Sequence, residues 1–334
     1  MPTITRTIGA SGADYTTVAA WAADLTNAVV YAIGDTAIGQ VIDWSAVCAI
    51  SLPTASVRPS DVILRPAANR RHTGRIGTGC RLLPRNNGAA ITIGAITYNF
   101  TVDGFEIDYE GAWAAQEVGA VTVIGGSGNA GTWLIQNLIC YGYATAGGSN
   151  SYGLLIGGSF AGPTVRLENC VVHRVRRYSS FGGTVGIAIL RSQANEVYNC
   201  VVFDTQNTST GSAQGFSVTA ATTIRNCVAI GNKTADFAGT AGTASNNASG
   251  DLTAPGASSI TSLTEQAFAA IRGGDCSPVS GSALIGAGTT ISGLTTDLAG
   301  NNYGSPRPIG AREFVASGGG ASGFSLSRLI NLGG

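Results

Sequence analysis

Glu106, Asp108 and Glu110 alternate with Phe105, Ile107 and Tyr109. On a strand, alternation of period two turns the three carboxylates to one side and the three apolar groups to the other. Carboxylates two residues apart then stand roughly 6.5–7 Å from each other, a separation that inverting glycosidases use for a general acid and a general base. His173, flanked by Arg174, Arg176, Arg177 and Tyr178, is the other group suited to proton transfer. Glu106, Asp108 and His173 are therefore the candidate catalytic residues if the chain cleaves a polysaccharide. A simpler reading stands beside this one: alternating outward charge keeps any exposed strand soluble, and nothing nearby in sequence implies a raised carboxyl pKa. Other chemistries lack their motifs. Gly125-Gly126-Ser127-Gly128 is not followed by the Lys-Ser/Thr of a phosphate loop, and no nucleophile elbow surrounds a serine. The cysteines form no CxxC pair, so neither a metal nor a cofactor is expected.

The element that would position these groups is a phrase that returns four times. It reads Ile135-Gln136-Asn137-Leu138-Ile139-Cys140, Leu167-Glu168-Asn169-Cys170-Val171-Val172, Val197-Tyr198-Asn199-Cys200-Val201-Val202 and Ile224-Arg225-Asn226-Cys227-Val228-Ala229. Successive asparagines are 32, 30 and 27 residues apart, the spacing of stacked coils rather than of one globular core. Apolar residues two before and one and three after each Asn cannot face one side of a single strand. A two-residue corner at the Asn resolves the conflict, because Asn tolerates the left-handed backbone of a sharp bend. Asn137, Asn169, Asn199 and Asn226 then stack into an amide ladder about 4.8 Å apart. In the same alignment Gly104 takes the corner of the preceding coil, and Asp108, Tyr141, His173 and Phe203 stack on one flank. The fold class expected is all-β, a single-stranded right-handed parallel β-helix.

These residues resemble the right-handed parallel β-helix, or pectin-lyase-like, superfamily. Gly12-Ala13-Asp14-Tyr15-Thr16-Thr17-Val18 and the Ala-rich stretch after it are similar to the N-terminal cap of such proteins. Thr296-Asp297-Leu298-Ala299-Gly300, Pro306-Arg307-Pro308 and Ile309-Gly310-Ala311-Arg312-Glu313 resemble their closing coil. The resemblance covers about residues 8–315 and speaks to fold more than to activity, since one architecture hosts lyases, hydrolases, adhesins and viral spikes. Its calcium-dependent lyases use clustered outward Asp residues with a nearby Arg or Lys base. This chain has no comparable Asp cluster, and its single lysine is Lys233.

Three segments are expected: residues 1–27 as an extended lead-in and capping helix, 28–316 as the β-helix, and 317–334 as a Gly-rich linker with an apolar tail. Val18, Trp21, Ala22 and Leu25 recur at helical spacing, with Asp14 near the helix start and Trp21 as a plug for the open coil end. Residues 251–316 read as closing coils and loops, with a short helix at 263–271. The 11 % of charged residues and 48 glycines suit tight corners between short strands. Nineteen basic residues balance nineteen acidic ones, which gives no footprint for nucleic acid or an anionic membrane. Arg65, Arg70, Arg71, His72, Arg75, Arg81 and Arg85 concentrate basic charge, read either as a solvated loop or as a patch for an acidic glycan or partner. Cys170, Cys200 and Cys227 fall at one inward position and read as small core hydrophobes.

Two features bear on partners. Ile139, Val171, Val201 and Val228 point outward and stack into an apolar stripe, covered either by a loop of the same chain or by another subunit. The tail carries Phe324, Leu326, Leu329 and Ile330 behind residues 317–323, a flexible linker by composition. The start lacks the layout of a secretory signal and no apolar run approaches a membrane span, so synthesis in a cytoplasm without membrane insertion is expected. By resemblance, an uncharged Gly/Ala/Ser/Thr-rich β-helix with such a tail looks like a bacteriophage virion protein. The implied function is a non-enzymatic capsid decoration or spike component in the virion. It would dock on other virion proteins through its tail and apolar face and form homo-oligomers, trimers among them, with a surface glycan as a further ligand. The alternative is a polysaccharide-degrading phage depolymerase, lyase or hydrolase using Glu106, Asp108 or His173. A bacterial adhesin ranks third for want of an export signal.

Overall fold

The computed structural model describes residues 1–316 apart from 55, 85–88, 95, 109–118, 125–130, 143, 146–149, 158–163, 178–181, 192 and 209. The tail residues Phe324, Leu326, Leu329 and Ile330 lie outside the described residues, as do Glu110 and Tyr109. The chain is all-β and built from long parallel sheets, an arrangement consistent with a β-helix solenoid. It opens with strand β1 (Thr3–Ile8), helix α1 (Val18–Asp24), β2 (Thr36–Val41), β3 (Ser45–Val47) and β4 (Ile50–Ser51). From there the chain visits three sheets in rotation. Trp133–Gln136 joins a nine-stranded sheet, Ile139–Tyr141 an eight-stranded sheet and Ser151–Ile156 a seven-stranded sheet, and Val165–Glu168 begins the next round. Each strand pairs in parallel with its counterpart one coil away. Three inward columns converge on one core, for example Val102, Ile135, Leu167, Val197 and Ile224 from the nine-stranded sheet.

The corners lie where the repeated phrase puts them. Asn137, Asn169, Asn199 and Asn226 have φ between 52° and 55°, and Gly104 has φ 80°. Each corner residue and the one after it separate a strand of the nine-stranded sheet from one of the eight-stranded sheet. The amide ladder is interrupted, however. Asn169 Nδ2 donates to Asn137 Oδ1 at 3.0 Å and Asn226 Nδ2 to Asn199 Oδ1 at 3.0 Å. Between these pairs the Tyr303 hydroxyl enters and donates to Asn169 Oδ1 at 2.8 Å.

Tyr303 belongs to a segment that departs from the expected closing coils. After Thr243–Ser245 and Ala248–Ser249, only single bridges at Ala257 and Ile260 continue the stack. The expected helix at 263–271 is a 3-10 turn at Glu265–Ala267 followed by Phe268–Ala270, which pairs antiparallel with Asp275–Pro278. The chain then runs back along the outside as a strap. Leu284, Leu298, Ile309 and Ala311 lie in one cluster with Ile139, Val171, Val201 and Val228. The outward stripe is thus buried by its own chain and is not free as a subunit face. Parallel strands gain from apolar cover on both faces, and the strap supplies the second cover.

Two further expectations change at the start of the chain. Residues 3–8 are not a lead-in but the first strand of the nine-stranded sheet, in parallel register with β2. Helix α1 begins later than Asp14, with Thr17 Oγ1 accepting from Ala20 N at 3.1 Å, while Asp14 accepts from Thr7. Its Trp21 is fully buried and donates through Nε1 to the Tyr31 hydroxyl at 3.2 Å.

All seven cysteines are buried and free. Burial pushes the thiols of Cys140, Cys170 and Cys200 well above their ordinary range, so they pack as neutral groups. The seven-stranded sheet closely approaches the inward column of Val172, Val202 and Ala229 at Gly153, Gly186 and Gly215. A Cβ on Gly186 would stand 2.2 Å from Val202 Cγ1.

Asn169→Ala is expected to lower stability by roughly 1–3 kcal/mol, because it strands several buried partners at once, and an unchanged urea midpoint would refute the corner assignment. Gly186→Ala is expected to cost about 1–3 kcal/mol by overpacking. Adding Val202→Ala should return part of that loss, as read from the same midpoint.

Candidate functional site

The flank that carries the candidate catalytic groups is the outer face of the eight-stranded sheet. Its register pairs Asp108 with Tyr141, Tyr141 with His173 and His173 with Phe203, the stack read from the repeat. The neighbouring outward column pairs Arg81 with Glu106 and Glu106 with Ile139. The directions of these side chains therefore agree with the alternation in sequence. Their exposure does not: Glu106 is 0 % exposed, His173 2 % and Asp108 8 %.

Glu106 is covered by residues 72–79, which fold back over the sheet. Its Oε2 accepts from Gly77 N at 2.7 Å, and its Oε1 from Thr78 N at 2.8 Å and Gly79 N at 2.6 Å. Burial pushes its carboxyl above the usual carboxylate range, against the pull of these three N–H groups. The carboxylate thus anchors a loop and has no side open to a substrate. Asp108 is paired with Arg81 at 3.2 Å. His173 stacks on Phe203 with ring centroids 5.2 Å apart, and burial depresses its pKa to about 4. Neighbouring Arg174 is tied to the Arg272 carbonyl of the closing segment at 2.9 Å. The register brings the three candidates onto one flank, and the surrounding chain then occupies them. The expected outward acidic face is corrected accordingly.

Within the basic stretch Arg75 and Arg81 stay exposed, as a solvated loop would have them, while several of its side chains pair with the chain itself; Arg85 lies outside the described residues. Arg71 makes a two-pronged contact with Asp103 at 2.7 Å and 2.7 Å. Arg75 pairs with Asp275 at 2.7 Å, and Arg70 stacks over the Trp44 ring at 4.3 Å. His72 is buried, with Nε2 at 2.7 Å from the Asn137 carbonyl and Nδ1 accepting from Gly74 N at 3.2 Å. One donor and one acceptor are what a neutral imidazole presents, and burial lowers its pKa to about 4.

Sequence reasoning missed Asp297 as an anchor, although it lies in a stretch singled out for its resemblance. Its Oδ1 accepts from Ala299 N and Asn301 N, both at 2.8 Å, and its Oδ2 from Glu313 N at 2.9 Å. Arg312 pairs with the same oxygen at 3.4 Å and donates to the Thr73 carbonyl at 2.9 Å. Asp297 therefore knots the strap and joins it to the loop over Glu106. The usable signal was an Asp followed by Gly and Asn within four residues, a local turn signature.

A second polar concavity of about 680 Å³ lies between the last coils and the closing segment, lined by Asn232, Asp236, Asp251, Glu265 and Arg272 among others. Its acids are also engaged: Asp236 Oδ2 accepts from Gly250 N at 2.6 Å, and Glu265 pairs with Arg272 at 2.6 Å. Among the described residues no three His, Cys, Asp or Glu side chains gather as a metal site, and no helix is long and apolar enough to cross a membrane. Comparison with protein-family models and with curated proteins gave no match.

His72 and His173 are the two histidines of the chain, and both stay neutral in the fold to about pH 4. An unfolded histidine takes up its proton near pH 6.5. Their stabilising contribution is therefore complete above pH 6.5 and is lost as pH falls from 6.5 toward 4. The slope is at most about 1.4 kcal/mol per pH unit for each residue. His173→Phe is expected to remove about half of this histidine-linked slope, read as the difference between variant and parent in urea melts from pH 7 to pH 4.5. The carboxylates common to both proteins cancel in that difference.

Proposed function

We propose that the chain is a non-enzymatic structural component of a bacteriophage virion, a capsid decoration or spike protein. On this reading it is a right-handed β-helix of pectin-lyase-like type, with α1 capping its first coil. One observation carries the non-enzymatic part: Glu106 is fully buried beneath a loop whose three backbone N–H groups it accepts, and the other candidate acid and base are paired or buried. General acid–base chemistry needs a group within hydrogen-bond reach of a substrate, and these groups are already used to hold the fold. The virion assignment rests on resemblance: weak charge, abundant small residues, and an apolar tail behind a glycine linker. Because the strap covers the stripe at Ile139, Val171, Val201 and Val228, docking on other virion proteins or further copies falls to the tail residues Phe324, Leu326, Leu329 and Ile330.

The depolymerase alternative predicts release of reducing ends from a bacterial surface polysaccharide, abolished by Asp108→Asn. The proposal predicts no release from a panel of such polysaccharides by either protein. It also predicts that Leu326→Asp with Ile330→Asp leaves the melting temperature within about 1 °C, the behaviour of substitutions outside a packed core. The same double variant should lose co-sedimentation with phage particles, and cleavage by the parent chain would overturn the proposal.

A further inference from the structure

The two ends of the stack are finished differently. At the C-terminal end, chain covers the edge of each of the three long sheets. Asn246 N donates to the Ala257 carbonyl and Ser249 N to the Ile260 carbonyl, both at 2.9 Å. On the last strand of the seven-stranded sheet, Asp236 N donates to Asp251 Oδ2 at 3.0 Å and Phe237 N to Thr253 Oγ1 at 2.9 Å. Such blocking is how proteins prevent an edge from recruiting a further strand.

At the N-terminal end, α1 packs on β1, β2 and β4. Strand β3 ends the eight-stranded sheet, with Arg81–Leu83 as its one strand neighbour among the described residues. Between β3 and the start of α1 lies a mainly apolar cavity of about 420 Å³, walled by Ile8, Ala10, Ala19, Ala46 and Ala49, with Asp43, Ser45, Thr16 and Thr17 as its polar lining. Asp43 Oδ2 accepts from Ala10 N at 2.7 Å, which leaves Oδ1 for a cation. An open edge beside an apolar cavity accepts an added strand: the edge supplies main-chain hydrogen bonds and the cavity takes alternate side chains.

One segment outside the described residues has the matching form. Phe324-Ser325-Leu326-Ser327-Arg328 alternates with period two, so a strand there presents Phe324, Leu326 and Arg328 on one face. Apolar groups face an apolar cavity, and the arginine faces an aspartate. The seven-residue linker before it spans up to roughly 25 Å, enough to leave one body and reach another. We propose that residues 324–328 of a second copy of this chain add as a strand to β3, with Phe324 and Leu326 in the cavity and Arg328 on Asp43. This rests on the reading of the chain as an assembly component. The contact is heterologous, tail of one copy to N-terminal end of the next, so repetition closes a ring or extends a filament.

The test uses two full-length chains, one with Ala49→Cys and one with Leu326→Cys, mixed and treated with a short bis-maleimide. The native cysteines are buried and do not compete. The expected product is a cross-linked pair of chains in the mixture and in neither variant alone. Asp43→Asn keeps an acceptor for Ala10 N and should reduce its yield roughly two- to fivefold, the worth of an exposed ion pair. A cross-link that forms only within a single chain carrying both substitutions overturns the second copy as occupant. Absence of a cross-link in every sample overturns the groove as the docking site. Polysaccharide cleavage by the parent chain would sink the assembly reading alone and leaves the cross-link result independent.

Discussion

The fold depends on a corner that must turn sharply and still satisfy its polar groups. At Asn137, Asn169, Asn199 and Asn226 the backbone enters the left-handed region, which most side chains resist by 1–2 kcal/mol or so. Asparagine lessens that strain, and its amide then becomes a buried group that needs partners. At two of the four corners part of its capacity goes to the neighbouring coil, in the pairs Asn169 to Asn137 and Asn226 to Asn199. The rest goes to the strap, where Asn169 Nδ2 donates to the Thr296 carbonyl at 2.9 Å and Asn226 Nδ2 to the Thr289 carbonyl at 2.7 Å. The residue that makes the corner also fastens the segment that covers the sheet beside it.

That second cover explains why the polar groups of this face look like chemistry and behave as fasteners. A parallel sheet with one apolar outward column is completed by a layer of chain, and that layer brings backbone N–H and C=O groups that must be paired. Glu106 supplies acceptors for the loop at 77–79. Asp297 does the same for the strap at residues 299, 301 and 313. Arg71, Arg75 and Arg312 bridge these layers to Asp103, Asp275 and Asp297. Such buried carboxylates hold positions in the fold, because their oxygens are engaged by backbone N–H groups of the covering chain.

Inside the coil the constraint is volume. Glycines let sheets approach where bulkier groups face them, as Gly186 does beneath Val202. The thiols of Cys170 and Cys200 are held neutral by burial and serve as inert packing.

Local alternation carried most of what could be read from the chain alone. It fixes which way each side chain points relative to its strand, so the corners, the inward cysteines and the stack from Asp108 to Phe203 followed from spacing. The helix around Trp21 followed from its 3.6-residue period in the same way. Whether an outward group meets water is a different quantity, decided by chain that arrives from far away in sequence. Glu106 is covered by residues 27–29 positions earlier, and Val171 lies in one buried cluster with Leu298 and Ile309. No periodicity at Glu106 or Val171 encodes those arrivals. The place of β1 in the nine-stranded sheet was hidden for the same reason, since a strand's partner is a non-local choice. Sequence by itself determined direction, because direction is a property of the local backbone. Tertiary structure alone decided exposure, and with it which charges are free to act.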